Sequence, residues 1–286
     1  MLSAAQSAQF KDHGFLVIER FWDEAQVAAA RSRSETLLRS LDPVTGAGVF
    51  STLDHRHSSS DAFLGSAHLV RAFFEEEAVD AQGRLLVPAD RAVNKFGHAL
   101  HRLDPVFAAL SHGPRLAALA SDLGLGQPQL RQSMLIVKQP GIGGEVRWHQ
   151  DATYFHGDPI TVTTFWFAIE DADEDNGCLW VEPGGHKGPL RERFRHDAQG
   201  TRLETTDATD WPDRARAQAV PVPAGSLVLM HGLLPHRSDA NRSPRSRLAY
   251  TLHVTDASSR YAPENWLQPL ADAPPEGFDA ELATLG

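Results

Sequence analysis

The chain has 286 residues, 42% hydrophobic and 22% charged, the proportions of an ordinary globular protein, which excludes a disordered, collagen-like or coiled-coil chain. Lys and Arg number 27 against 37 Asp and Glu, and a formal charge of −10 repels a phosphate backbone, so nucleic acid is not an expected partner. The lone cysteine, Cys178, supports neither an intramolecular disulfide nor a thiolate cluster. With no signal-like start and no apolar run of ~20 residues, the expected location is cytoplasmic, with no membrane partner.

One domain is expected over 1–286: a helical part to about 125, a strand-rich core over about 126–256 and a tail over 257–286. A polar helix is predicted over 4–12, a short strand over 14–19, and a long helix from Asp23 to about 41, where Asp23 and Gln26 have the spacing of a capping box. Residues 42–62, rich in Ser, Gly, Asp and His, predict a loop that would serve as a lid, with His55 and His57 in it. Apolar residues at intervals of three or four predict helices over 94–103 and 105–123. From about 129 the pattern changes to short strands between turn signals, at 129–139, 146–151, 161–169, 178–182, 225–232 and 246–254, as in an antiparallel barrel or sandwich. Helices first and strands later make the fold class α+β. The Pro-rich tail from Pro263 is expected to pack on the outside.

The chemistry concentrates in Trp148-His149-Gln150-Asp151. Alternation along a strand sends His149 and Asp151 to one side, and an imidazole with a carboxylate, joined by a second His, makes the 2-His-1-carboxylate set that holds Fe(II) and leaves positions open. His-x-Asp alone is a weak signal. It gains weight from Met230-His231-Gly232-Leu233-Leu234-Pro235-His236, where either His231 or His236 is placed to close the triad. Eleven residues after His236 comes Arg247, on a strand whose residues Arg247, Ala249, Thr251 and His253 share one face. A guanidinium there suits a dicarboxylate, which it grips bidentately.

The runs QSMLIVKQPGIGGEVRWHQDATYF, FWFAIEDADEDNGCLWVEPGGHKG and LVLMHGLLPHRSDANRSPRSRLAYTLHV, with NKFGHALHRLDPVF upstream and YAPENWLQP near the end, resemble the phytanoyl-CoA dioxygenase family of non-haem iron, 2-oxoglutarate-dependent oxygenases. The resemblance extends over about 10–269. It implies a double-stranded β-helix (jelly-roll, cupin-like) core flanked by helices, Fe(II) held by His149, Asp151 and His236 as the catalytic set, and 2-oxoglutarate as cosubstrate. Arg247 and Ser238 would hold the distal carboxylate, with Lys95, Met134 and Trp166 lining the same pocket. It further implies that O2 is consumed, 2-oxoglutarate leaves as succinate and CO2, and a small-molecule substrate is hydroxylated, with ascorbate useful in assays. The retained Asp151 speaks against halogenation. Trp148 departs from the small or proline-like residue the resemblance leads one to expect, and so bears on pocket shape.

Other features have blander readings. His231, ending a strand before Gly232, suits a packed structural histidine, and His98 with His101 suit neighbours on a helix face. Cys178 suits a small buried hydrophobe. Asp171, Asp173, Glu174 and Asp175 suit a solvated turn. The loops 41–62 and 185–213 are expected to frame the substrate. Two other functional classes fit parts of the pattern: a non-catalytic metal- and 2-oxoglutarate-binding jelly roll acting as sensor or scaffold, and a cupin-type isomerase or lyase, which gives Arg247 no task. Substrate identity and oligomeric state are not legible.

Overall fold

The computed structural model describes residues 1–41, 47–50 and 61–279. The helices are α1 (Ala4–His13), α2 (Glu24–Arg39), α3 (Asp61–Leu64), α4 (Ala89–Ala92), α5 (Leu100–Leu103), α6 (Pro105–Ser111) and α7 (Pro114–Asp122). Asp23 and Gln26 form the predicted capping box at α2, each side chain accepting the other's backbone N–H, at 2.8 and 3.1 Å. The predicted helix over 105–123 breaks at Gly113, whose φ of 126° ends one helix before Pro114 starts the next.

Sixteen strands follow in chain order among the described residues: β1 (Phe15–Ile18), β2 (Ala47–Phe50), β3 (Val70–Glu75), β4 (Val93–His98), β5 (Pro128–Lys138), β6 (Val146–His149), β7 (Gly157–Asp158), β8 (Thr163–Ala168), β9 (Leu179–Val181), β10 (Glu192–Asp197), β11 (Gly200–Thr205), β12 (Gln218–Val220), β13 (Leu227–His231), β14 (His236–Ser238), β15 (Arg247–Asp256) and β16 (Arg260–Tyr261). Eight of them make a large sheet in the order β1-β13-β8-β15-β5-β4-β3-β2, and four make a small one, β12-β9-β14-β6. All their pairings are antiparallel except β2 with β3. This is the expected jelly-roll core with helices against it, its two sheets leaving a cavity between them.

Strand β15 shows how the sequence builds both sides of the large sheet. Leu248, Tyr250, Leu252 and Val254 face a core shared with the helices, where Phe107 stacks on Tyr250 at 4.6 Å and Trp22 lies parallel to Phe167 at 4.5 Å. Arg247, Thr251 and His253 face the cavity.

Three expectations are corrected. Residues 93–98 form a strand, with helix confined to Leu100–Leu103, so Lys95 comes from a strand and His98 and His101 share no helix. All six residues of β4 are buried between β3 and β5, and a strand buried on both faces has no alternation to read. The tail does not merely cover the outside: Trp266, Leu267 and Phe278 are buried, and Trp266 reaches the cavity wall. The predicted loop over 42–62 contains β2, while the lid reading, with His55 and His57, falls outside the described residues.

Candidate metal centre and its cavity

His149 ends β6, and its partner across the ladder to β14 is His236; their ring centroids are 4.1 Å apart. The strand stops at His149, so Asp151 does not share its face by strand alternation as expected. It opens a 3-10 turn, Asp151–Thr153, which carries its carboxylate back toward the two rings. Asp151 Oδ1 lies 3.7 Å from His149 Nε2 and 3.8 Å from His236 Nε2, and the three donor atoms fall within 4.8 Å of one another. His231, the other histidine placed to close the triad, ends β13 elsewhere. Its Nδ1 accepts the Leu233 N–H at 3.1 Å, and its ring packs 5.1 Å from that of His186, as its bland reading expected.

The imidazoles are locked for ligation. Nδ1–H of His149 donates to the Arg147 carbonyl at 2.9 Å and Nδ1–H of His236 to the Leu234 carbonyl at 3.0 Å, so both Nε2 lone pairs face Asp151. Thr164 Oγ1 donates to Asp151 Oδ2, leaving Oδ1 for the centre. Burial pushes His149 down to about 3, helped by His236, which keeps the ring neutral as a ligand must be. Burial by itself would raise Asp151, but His236 and His253 reverse this and hold its carboxyl well below the usual range.

A cavity of ≈ 170 Å³ adjoins this centre, and all eight residues singled out from the sequence line it. Arg247 is 1% exposed. Its Nε–H donates to the Gly177 carbonyl at 3.2 Å, its guanidinium lies 5.5 Å from the Trp166 ring centroid, and its Nη1 has no hydrogen-bond partner among the described residues. Burial pushes Arg247 down to about 10, still charged at neutral pH. Ser238 is buried two residues beyond His236 on β14, Met134 pairs in register with Thr251, and Lys95 Nζ lies 5.9 Å from the Phe73 ring. Burial, opposed by Glu75, pushes Lys95 down to about 7.

Trp148, flagged for pocket shape, is not among the lining residues; Arg237 stacks over it at 5.5 Å instead. Strand alternation sends it away from the side His149 takes. Sequence reading passed over several wall residues that period two could have marked. Counting from Met134 along β5 gives Gln132 and Lys138, whereas His253 was already placed on the Arg247 face of β15 but given no role there. Lys138 is buried beside Arg247 in register and donates to the Gly144 carbonyl. Burial and the Arg247 charge push it down to about 7. His253 Nε2 is 3.5 Å from Asp151 Oδ1.

The two sheets and the three donors between them define a jelly-roll protein with a His, Asp, His metal-binding triad. The chain belongs to the phytanoyl-CoA dioxygenase family, whose model matches residues 10–249. It is similar to the Bos taurus phytanoyl-CoA dioxygenase domain-containing protein 1, the branch its sequence motifs resemble, at 41% identity over 96% of this chain and 97% of that one. Among solved structures it resembles EctD from S. alaskensis with 2-oxoglutarate and 5-hydroxyectoine (TM-score 0.65, 22% identity, 98% of this chain and 87% of that one). It also resembles the non-heme alpha ketoglutarate dependent carbocyclase SnoK from nogalamycin biosynthesis (TM-score 0.65, 22% identity, 98% and 95%).

Proposed function

We propose that the protein is an Fe(II)- and 2-oxoglutarate-dependent dioxygenase that hydroxylates a small molecule. The observation that carries this reading is Arg247, a buried cation with an unpartnered Nη1 in the wall of the cavity that the triad adjoins. A buried charge left without a partner is costly, and a carboxylate from a ligand relieves it. Two nitrogens and one carboxylate oxygen, with both imidazoles pre-set as lone-pair donors, suit ferrous iron. Iron and 2-oxoglutarate together supply the activation of O2, with succinate and CO2 as by-products.

The protein's own residues do the placing. His149, Asp151 and His236, all three in the wall of the cavity, would hold the ion. Arg247, with Ser238 and Lys138 beside it, fixes the far carboxylate of the keto acid, and Trp166 supports the guanidinium face. Apolar walls from Ile136, Leu179 and Met230 keep water from the reacting centre.

Anaerobic addition of Fe(II) and 2-oxoglutarate is expected to produce a weak visible charge-transfer band in the wild type and none in His149→Ala. Admission of O2 is expected to yield succinate even without substrate. Binding of both ligands with no succinate would leave the protein a sensor or scaffold and overturn the enzymatic reading. Because SnoK is described as a carbocyclase, hydroxylation itself is checked by oxygen-18 from O2 appearing in the product.

A further inference from the structure

A second polar locus lies in the wall of the same cavity, beyond the metal ligands, and the cofactor assignments leave it idle. His98 on β4 and His253 on β15 are 1% and 4% exposed, and both line the cavity. Each has one ring nitrogen, Nε2 of His98 and Nδ1 of His253, with no hydrogen-bond partner among the described residues. Aromatic rings surround the pair. Phe63 and Trp266 lie 5.2 and 5.0 Å from the His98 ring and 4.5 Å from each other, and Phe155 stacks on His253 at 4.8 Å. Leaving a buried polar atom unsatisfied costs about 1–3 kcal/mol, so two such atoms in one cavity wall call for a ligand.

Counting hydrogens shows which kind. Ser66 Oγ gives its hydrogen to the Phe63 carbonyl at 2.5 Å, so toward His98 Nδ1, 3.0 Å away, it can only accept. His98 therefore carries its proton on Nδ1, and Nε2 is a bare lone pair. His253 Nε2 faces Asp151 Oδ1 at 3.5 Å, and a carboxylate only accepts, so Nε2 carries a proton. Burial, with Lys95 nearby, holds His98 far below the usual histidine range, in keeping with a neutral ring. The bare lone pair of His98 in an aromatic surround takes a hydrogen-bond donor and repels an anion, and the neighbouring Lys95 repels a cation.

We infer that the substrate is a neutral molecule with a flat apolar body that sits among Phe63, Phe155 and Trp266, against His253, and donates an O–H or N–H hydrogen to His98 Nε2. The word substrate rests on the proposed function; the binding preference does not. His253 links the two loci, since its other nitrogen faces the Asp151 carboxylate and so seats the bound molecule next to the metal centre.

The test uses phenol, anisole and benzoate as probes, titrated anaerobically into the full-length protein both metal-free and loaded with Fe(II) and 2-oxoglutarate. Long-range proton–nitrogen spectra report the imidazole tautomers. Phenol is expected to bind about tenfold tighter than anisole, which lacks the donor, and to move the His98 Nε2 resonance, while benzoate leaves both imidazoles in place. His98→Phe is expected to erase the preference for phenol. Ser66→Ala, which keeps the imidazole but frees its tautomer, is expected to reduce that preference and guards against a His98 variant that fails to fold. Equal affinity for phenol and anisole, a preference that survives both substitutions, imidazole shifts with benzoate alone, or binding of none of the three would overturn the inference. Loss of metal and 2-oxoglutarate binding in the same samples counts against the proposed function instead, because the metal-free spectra still report the probes.

Discussion

His149 and His236 stand opposite each other on one rung of the β6–β14 ladder, with ring centroids 4.1 Å apart and both Nδ1 atoms tied to backbone carbonyls. A ligand that binds only the folded state stabilises it, by about 2.7 kcal/mol at a hundredfold excess over Kd. Fe(II), or Ni(II) as its stand-in, is therefore expected to raise the melting temperature of the wild type, EDTA to cancel the rise, and His236→Ala to show none. Anaerobic melting curves with and without metal check this.

Arg247→Met is expected to act with opposite signs on cofactor and fold. The KM for 2-oxoglutarate should rise at least tenfold, since a charge-assisted pair contributes about 1.5–3 kcal/mol. The ligand-free protein should keep or gain stability, because exchanging buried charge for well-packed apolar side chains of similar volume is commonly neutral or favourable by about 1–4 kcal/mol. Arg247→Lys should not rescue binding, lacking the planar fork. Succinate assays and urea melts together decide it.

Lys95 sets a pH dependence. Burial, against the pull of Glu75, lowers its ammonium from 10.5 to about 7. The folded chain then binds fewer protons than the unfolded one between these values, so Lys95's contribution makes stability rise with pH across that window. A bound dianion restores the proton, so the Kd for 2-oxoglutarate should climb, by at most tenfold per pH unit, above about pH 7. Lys138 lies in the same range, so the quantity to follow is wild type minus Lys95→Met, by calorimetry and urea melts at pH 7 and 9.

Thr164 touches no cofactor, yet its hydroxyl holds Asp151 Oδ2 and aims Oδ1 at the centre. Thr164→Val keeps the shape and removes the donor. Metal affinity is expected to fall by about 10–100-fold, the usual effect of losing a hydrogen bond to a ligating group, with circular dichroism unchanged. A metal titration with unaltered affinity would contradict this role.

Trp22 supplies the contrasting case. It stacks on Phe167 on the helix side of the large sheet, away from the cavity. Trp22→Ala should cost about 3–5 kcal/mol of stability while leaving metal affinity in the surviving folded protein at the wild-type value. Denaturant unfolding paired with a metal titration separates the two effects.

Local chemistry was legible wherever a short-range rule governs it. Capping at Asp23 depends on three residues, the split of β15 into an apolar and a polar face depends on a period of two, and the sequence runs around His149 and Arg247 are distinctive enough to resemble a family. Strand β4 and the β10–β11 hairpin were not legible. The first is buried on both faces, and the second pairs half-buried polar residues such as Arg195 with Arg202 and Arg193 with Glu204, so neither carries an alternating signal.

Residue order alone identifies which side chains can act: an imidazole and a carboxylate two residues apart, a distant pair of histidines, and an arginine on a strand's polar face. The choice between His231 and His236 belongs to the folded molecule, because ladder register, not spacing along the chain, puts a ring opposite His149. Folding likewise brings Asp151 in by a turn, keeps Trp148 out of the wall, and leaves His98 and His253 each with an unpartnered nitrogen among the described residues. Hydrogen-bond satisfaction is a sum over neighbours drawn from the whole chain, and no local pattern contains that sum.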